Sequence, residues 1–219
     1  MSRRLVLLRH GQTDWNAIGR GQGHADVEIN DLGHDQAAAA APVIAAYEPS
    51  ALWTSDLARA RQTAAYVAKE CGLETVLDAR FREFDLGQRT GLTMAEYAET
   101  FPAEYADFRA GHFTAVPGGE TSEDVSRRFT AGLRDVVTAL SPGETGVVVS
   151  HGAALKVATI ALLGWPVGHS TGFQGLDNCG WVVLDELEDL TDLRVDQGNF
   201  RLAAWNLTAP SAPATPPRT

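Results

Sequence analysis

The chain has 219 residues, of which 44% are hydrophobic and 21% charged, a balance typical of a globular protein and not of a disordered or fibrous one. Asp and Glu total 28 against 18 Lys and Arg, and the net charge of -10 argues against nucleic acid or an anionic membrane as the main partner. Cys71 and Cys179 have no metal-type or disulfide-scaffold spacing, which favours a reducing cytoplasm, and no stretch is apolar enough for a membrane helix.

Apolar runs and helical patterns alternate along the chain. Strands are predicted, in order, at 5–8, 51–54, 73–77, 147–149, 181–184 and 201–205. Helices are predicted at 31–47 with an interruption at Pro42, at 56–69 with Ser55 as N-cap, from the capping box at Thr93 onwards, at 122–140 and at 154–163. This alternation predicts an α/β fold of three layers, α/β/α, with a mainly parallel central sheet.

The chain is expected to form one domain over residues 1–207. Residues 86–118 contain no clear strand, so they are predicted to form a helical insertion that lies as a lid over the carboxyl edge of the sheet. The tail at 208–219 is rich in Pro, Ala and Thr, has no core-forming residue and is predicted to be disordered.

Two of the predicted strands end in the same dipeptide. His10-Gly11 follows the first strand and His151-Gly152 follows the fourth. If both strands are parallel and central, the two imidazoles leave the sheet at one edge, where ligands of open α/β sheets bind. The repetition therefore favours a reactive histidine pair over two structural histidines.

Several groups suited to phosphate lie beside this predicted pair. Arg9 precedes His10, and the loop at 11–16 supplies a glycine, a hydroxyl, the carboxamide of Asn16 and free backbone N–H groups. Arg59 lies in the first turn of a predicted helix, where a cation opposes the helix dipole, which indicates a compensating ligand. Its neighbour Arg61 is predicted to be solvated.

An acid is predicted at the same edge. Glu83 and Asp85 both follow the third predicted strand, and a carboxylic acid there could protonate a leaving oxygen. Strand alternation favours Glu83, with Asp85 as its rival. Two histidines, two arginines, an asparagine and an acid together predict phosphoryl transfer through a nucleophilic imidazole.

Residues 8–16, Leu-Arg-His-Gly-Gln-Thr-Asp-Trp-Asn, resemble the signature of the histidine phosphatase superfamily, also called the phosphoglycerate mutase-like family. The resemblance continues through 21–33, 54–63, 83–87, 118–121 and 149–152 and covers nearly all of residues 3–207. In the finer pattern of residues 4–14 and 201–206, the chain resembles bacterial phosphatases that act on glucosyl-3-phosphoglycerate or on a broad range of monoesters.

The resemblance implies a role for each matching position. His10 would attack phosphorus and become phosphohistidine, with its other ring nitrogen held by a backbone carbonyl in the Gly11 loop. Glu83 would be the proton donor to the leaving group and then the base for water. The phosphoryl oxygens would be held by Arg9, Asn16, Arg59 and His151, with Gln22, Gly23 and Gly152 as further substrate-binding positions. No metal or other cofactor is expected, because arginine and histidine supply the positive charge.

Within this family the phosphoryl group passes either to water or to a phosphoglycerate. Residues 88–118 offer only Arg89, Arg109 and His112 against four carboxylates, which favours hydrolysis of a small phosphorylated metabolite over a cofactor-dependent phosphoglycerate mutase. Arg20, Arg82 and Arg109 remain candidates to bind one substrate carboxylate.

Two other interpretations are weaker. A protein that binds phosphorylated ligands without turnover would be expected to lack part of the histidine and arginine set, all of which is present. A metal site formed by His24, Asp26 and Glu28 is possible by strand alternation, although an exposed polar edge is favoured there. The expected partners are a small phosphate monoester and, as in many members of the family, a second copy of the chain.

Overall fold

A computed structural model describes residues 2–110, 116–166, 172–187 and 199–210. Its centre is a six-stranded sheet in the order β3-β2-β4-β1-β5-β6. Strands β1 to β4 are parallel, whereas β5 pairs antiparallel with β1 and β6 antiparallel with β5. The strands are β1 (Arg4–Arg9), β2 (Pro49–Thr54), β3 (Thr75–Leu77), β4 (Thr145–Ser150), β5 (Trp181–Glu186) and β6 (Phe200–Leu207). The predicted mainly parallel α/β sheet is confirmed.

The helices surround this sheet and include the five that the sequence predicts. They are α1 (Asp14–Ala17), α2 (Asp31–Ala45), α3 (Ala58–Cys71), α4 (Met94–Thr100), α5 (Pro102–Arg109), α6 (Ser122–Ala139) and α7 (Gly152–Leu162). The helix α2 runs through Pro42, where an interruption was expected, and ends three residues later. The sequence predicts a loop at 11–16, but the structure has the short helix α1 there, with a capping box formed by Thr13 and Asn16.

One predicted helix cap is wrong. The helix α3 begins at Ala58, and Ser55 does not cap it. The carboxylate of Asp26 does, since its Oδ1 accepts a hydrogen bond from Ala58 N at 2.6 Å. Asp26 is 32 residues away in the chain, beyond the reach of a local capping pattern.

The sheet has a hydrophobic core on each face, which confirms the three-layer arrangement. The side chains of β1 alternate, so that Leu5 and Leu7 pack with α6 and α7, whereas Val6 and Leu8 pack with α2 and α3. All four are completely buried, as expected for a central parallel strand covered on both sides.

The carboxyl ends of the central strands lie at one level. Arg9 at the end of β1 is paired with Ser150 at the end of β4, so that the chain leaves both strands side by side. The loop after β1 is held against the start of α2, where a Cβ on Gly11 would lie 2.5 Å from the carbonyl oxygen of Gly33. These two glycines allow the backbone approach that fixes the loop.

The segment at 86–118 carries α4, α5 and a short 3-10 turn at Gly87–Arg89. Isolated bridges join Leu86 to Gly119 and Arg20 to Thr93. Residues 111–115 of the predicted lid, including His112, and residues 211–219 of the predicted tail lie outside the described residues. In the described ranges no helix is long and apolar enough to cross a membrane.

Candidate active site

The two predicted histidines meet at the carboxyl edge of the sheet. His10 follows β1 and His151 follows the adjacent β4, and their ring centroids are 5.2 Å apart. His10 is 3% exposed and His151 is fully buried. The expectation that the repeated His-Gly dipeptides bring two imidazoles together is confirmed.

The protonation of His10 is fixed by its own loop. Nδ1 lies 2.7 Å from the carbonyl oxygen of Gly11, and because a carbonyl only accepts, Nδ1 carries the proton. The unprotonated nitrogen of the neutral ring is therefore Nε2. Burial, reinforced by the charges of Arg9 and Arg59, lowers the pKa of His10 well below 6.5. The expected backbone carbonyl partner in the Gly11 loop is confirmed.

His151 has both ring nitrogens engaged within the protein. Nδ1 accepts from Arg59 Nε at 3.1 Å, and Nε2 donates to Ser55 Oγ at 2.9 Å. Burial is the main cause that lowers its pKa well below 6.5, with Arg59 as the next cause. Ser55, expected as a helix cap, is instead a partner of this histidine.

Arg59 is a buried cation with three identified partners. Its Nη1 and Nη2 donate to the carbonyl oxygens of Ala25 and Gly23, both at 2.8 Å, in addition to the bond to His151. Burial lowers the pKa of Arg59 to about 10, while Glu83 and Asp26 favour its charged form. By contrast Arg61 is exposed, as predicted.

Arg9 is half-buried with its Nε enclosed by the protein, and burial lowers its pKa. Its Nη1 donates to the carbonyl oxygen of Leu176, whereas its Nε has no hydrogen-bond partner among the described residues. The start of α7 packs directly on this side chain, since a Cβ on Gly152 would lie 3.2 Å from Arg9 Nε. A buried donor without a partner suits an anionic ligand.

Asn16 lies in α1 and its amide is oriented by several donors. Oδ1 accepts from the backbone N and the hydroxyl of Thr13 and from Asn178 Nδ2, all at 3.2 Å. The Nδ2 group makes no hydrogen bond within the described part of the chain and remains a donor for a ligand. Asn178, which the sequence analysis missed, also donates to the carbonyl oxygen of His10 at 3.1 Å.

Glu83 lies at the N-terminus of α7. Its Oε1 accepts from the backbone N of Phe84 and of Ala154 at 3.0 and 2.9 Å, and its Oε2 accepts from Ala153 N at 3.2 Å. This position next to His151-Gly152 brings the acid to the histidine pair. Its rival Asp85 is 43% exposed and accepts from Gly87 N at 2.9 Å, so that its carboxylate shapes a turn.

The backbone that carries Glu83 is held by Arg128 of α6, another residue missed from the sequence. Arg128 donates to the carbonyl oxygens of Arg80, Arg82 and Glu83 at 2.7 to 2.8 Å and forms two bonds of 2.8 Å to the carboxylate of Glu120. All five guanidinium N–H groups are thus used. Glu120 Oε2 in turn accepts from Asp85 N at 2.9 Å.

A cavity of about 270 Å³ opens at this edge of the sheet. Most predicted site residues line it: Arg9, His10, Asn16, Gln22, Gly23, Arg59 and Glu83. The predicted site residues His151 and Gly152 do not line the cavity. His151 lies behind Arg59, and Gly152 lies behind Arg9. The apolar part of its remaining wall comes from residues 84–119, and the charged side chains of Arg20, Asp85, Arg89 and Glu120 also line it.

The alternative metal site is not formed. In the part of the chain that the structure describes, no group of three or more His, Cys, Asp or Glu side chains is arranged to hold a metal ion. His24 Nε2 instead donates to the carbonyl oxygen of Glu83 at 2.8 Å, and Asp26 caps α3.

Comparison with known proteins gives a consistent family. Residues 5–208 match the model of the histidine phosphatase superfamily, branch 1. The chain is 38% identical over 218 residues to a glucosyl-3-phosphoglycerate phosphatase of Mycolicibacterium vanbaalenii, covering 94% of this chain and 96% of that protein. It is 35% identical over 165 residues to a probable phosphoglycerate mutase of Cronobacter sakazakii, covering 74% of this chain and 75% of that protein.

A solved structure has the same fold. It is a mycobacterial glucosyl-3-phosphoglycerate phosphatase in complex with VO3, at a TM-score of 0.85 and 35% identity, and the match covers 94% of this chain and 100% of that one.

The Arg128 contacts lead to a prediction about stability and rate. Arg128→Met removes five hydrogen bonds and leaves the carboxylate of Glu120 without its cationic partner, so we expect the free energy of unfolding to fall by about 1 to 3 kcal/mol and kcat to fall with it. The adjacent Arg127→Met is the matched control, because Arg127 is 73% exposed and pairs only with Asp124 among the described residues. Urea unfolding and phosphate-release kinetics of both variants test this; equal effects would contradict it.

The lowered pKa of His10 predicts a pH dependence of stability. Above pH 6.5 the ring is neutral in both folded and unfolded chains, and below pH 6.5 only the unfolded chain takes up the proton, so stability is lost as the pH falls. The variant His10→Gln removes the ring, so the change of the free energy of unfolding with pH should become smaller by up to about 1.4 kcal/mol per pH unit. Urea unfolding of both proteins from pH 7.5 to 5.0 measures it, and parallel curves would show that the folded ring protonates normally.

Proposed function

Because the chain belongs to branch 1 of the histidine phosphatase superfamily and is a phosphatase of a small phosphorylated metabolite, we propose that His10 accepts the phosphoryl group of a carboxylated monoester. The proposed substrate is glucosyl-3-phosphoglycerate, the compound in the names of a relative and of a solved structure that both cover most of this chain. Water is the proposed final acceptor.

The observation that carries this proposal is the tautomer of His10. The bond from Nδ1 to Gly11 leaves Nε2 as the lone-pair nitrogen of a residue that lines the cavity. The lowered pKa keeps that nitrogen unprotonated at neutral pH. When Nε2 bonds to phosphorus the ring gains positive charge, and the Nδ1–H bond to the carbonyl oxygen strengthens.

The cavity supplies donors for the transferring group. The oxygens of the phosphoryl group are negatively charged throughout the reaction, so positioned cations and N–H groups stabilise the transition state. Arg9 offers its unpartnered Nε, Asn16 offers Nδ2 and Arg59 offers guanidinium N–H groups. The proposed role of His151 is to orient Arg59, whose Nε donates to Nδ1 of His151. This role does not require His151 to contact the phosphoryl group.

Glu83 is the proposed proton donor. As Nε2 of His10 forms its bond to phosphorus, the bond to the leaving oxygen breaks and that oxygen takes the proton from Glu83. In the second step Glu83 removes a proton from water, the new oxygen bonds to phosphorus and the P–N bond breaks. Oε2 of Glu83 accepts a single bond, from Ala153 N, and is the proposed proton carrier.

The reaction is proposed to need no metal ion or other cofactor. Arg9 and Arg59 already place positive charge where a divalent cation would act, and their position is fixed by bonds to Leu176, Gly23 and Ala25.

The cavity favours a small substrate. Its volume of about 270 Å³ lies near the lower end of the range of about 300 to 1,000 Å³ usual for small-molecule sites. Residues 86–118 are the proposed lid, because Arg89, Tyr97, Phe108 and Val116 from this segment line the cavity.

Two further proposals concern the setting of the enzyme. A homodimer is proposed, supported by the exposed Val76 and Leu77 on the edge strand β3.

A reducing cytoplasm is proposed, supported by the free thiols Cys71 and Cys179.

The test is phosphate release from glucosyl-3-phosphoglycerate, 3-phosphoglycerate and simple monoesters in excess chelator, with a parallel assay for 2-phosphoglycerate. We expect release without isomerisation, an unchanged rate with chelator, and no turnover by His10→Ala. Isomerisation without release would identify a mutase, and a loss of rate restored by added metal would refute the metal-free reaction.

The proposed acid role predicts a dependence on the leaving group. Glu83→Gln should slow hydrolysis of alkyl phosphates by about 10²- to 10⁴-fold and p-nitrophenyl phosphate far less, because an aryl oxide leaves without a proton. Asp85→Asn is the matched comparison and should not change the ratio of the two rates. A selective loss in Asp85→Asn alone would assign the acid role to Asp85.

A further inference from the structure

Two arginines that line the cavity, Arg20 and Arg89, lie outside the phosphoryl-binding set. Arg89 ends the 3-10 turn at Gly87–Arg89, six residues after Glu83, and lines the same cavity as His10, Arg9 and Arg59. The charge of Glu83 favours the charged form of Arg89, which places the two side chains within electrostatic reach of each other.

The guanidinium of Arg89 packs against two aromatic rings that lie edge to face with each other. Its Cζ lies 4.5 Å from the ring centroid of Tyr97 and 4.7 Å from that of Phe108. Tyr97 belongs to α4 and is 2% exposed, and Phe108 belongs to α5. Contact with two rings from two helices restricts the position of the guanidinium before any ligand arrives.

Arg89 lacks the neutralising partner that neighbouring arginines have. Arg82 forms bonds of 2.6 and 2.7 Å to the carboxylate of Asp56, and Arg20 lies 3.7 Å from Glu96 and donates to the carbonyl oxygen of Gly91. In the described ranges no carboxylate lies within 4.0 Å of Arg89, and its buried Nε has no hydrogen-bond partner. Burial is the main cause that lowers the pKa of Arg89, and the charge of Glu83 offsets that effect only in part.

We propose that Arg89 binds a carboxylate of the substrate and thereby selects phosphate monoesters that also carry a carboxylic acid. The inference rests on the proposed function, whose active site it extends. A planar guanidinium with its fork of donors matches a carboxylate in a bidentate contact.

A carboxylate fits this position better than a second phosphoryl group. A phosphate monoester carries a charge of about -1.5 to -2 at neutral pH and needs several donors, whereas one guanidinium neutralises one carboxylate. The cavity that Arg89 lines also contains the apolar side chains of Phe84, Leu86, Phe108 and Val116, together with the charged side chains of Arg20, Asp85 and Glu120. Of the three candidates from the sequence, Arg82 is paired with Asp56, and Arg109 is exposed and does not line the cavity. Arg20 lines the cavity, but its guanidinium lies 3.7 Å from the carboxylate of Glu96 and donates to the carbonyl oxygen of Gly91.

The test uses two substrates that differ only in the group in question. In 3-phosphoglycerate a carboxylate stands where glycerol 3-phosphate has a hydroxymethyl group. We expect the wild-type kcat/KM to favour 3-phosphoglycerate by at least about tenfold, as a charged hydrogen-bonded contact supplies. Arg89→Met should lower kcat/KM for 3-phosphoglycerate by about 10- to 100-fold, mostly through KM, and that for glycerol 3-phosphate by less than about threefold.

Two variants separate recognition from structure. Arg61→Met removes an exposed arginine of α3 that does not line the cavity, and it should leave kcat/KM unchanged for both substrates. Arg89→Lys keeps the charge without the planar fork and should restore part of the preference. Equal losses on both substrates in Arg89→Met would show that Arg89 only supports the packing of Tyr97 and Phe108, which would overturn the inference.

A binding arm distinguishes failure of this inference from failure of the proposed function. If the wild-type protein releases phosphate from neither compound, the hydrolysis proposal fails. Calorimetry of both compounds with His10→Ala, and with His10→Ala combined with Arg89→Met, then decides the inference. A preference for 3-phosphoglycerate that Arg89→Met abolishes supports it, and equal affinity for the two compounds overturns it.

Discussion

The site depends on burial of positive charge beside neutral imidazoles. Arg59 Nε donates to Nδ1 of His151, which fixes this histidine as a neutral acceptor, and the same arginine and Arg9 disfavour a proton on His10. A desolvated cation costs free energy unless it is hydrogen-bonded or paired. The protein meets part of that cost with backbone carbonyls and leaves the remainder to an anionic ligand, a division that suits phosphoryl transfer.

The acid is placed by the same strand ends. The carboxylate of Glu83 occupies the N-terminus of α7, whose first residues follow His151, so that Glu83 and His151 meet at one helix start. Arg128 and His24 both donate to the carbonyl oxygen of Glu83. The position of the side chain is therefore set by its backbone, and a single α6 residue links the core of the fold to the reacting groups.

The excess of acidic residues over the whole chain says little about this cavity. Its cations are concentrated at one sheet edge by chain topology, while most other arginines are paired with carboxylates, as Arg82 is with Asp56 and Arg80 with Asp78. Arg89 differs from these arginines, because it packs against Tyr97 and Phe108 and has no carboxylate partner among the described residues.

The sequence by itself determined the strands, the principal helices and the meeting of His10 with His151, because apolar periodicity and the dipeptide after each strand are local signals. It also indicated the carbonyl partner of His10, which is the next residue. Only the tertiary structure decided that Asp26 caps α3, that Ser55 serves His151, and that Arg128 holds the Glu83 backbone. These contacts join residues from 32 to 96 positions apart, and no local pattern encodes a hydrogen bond whose partner is chosen by packing.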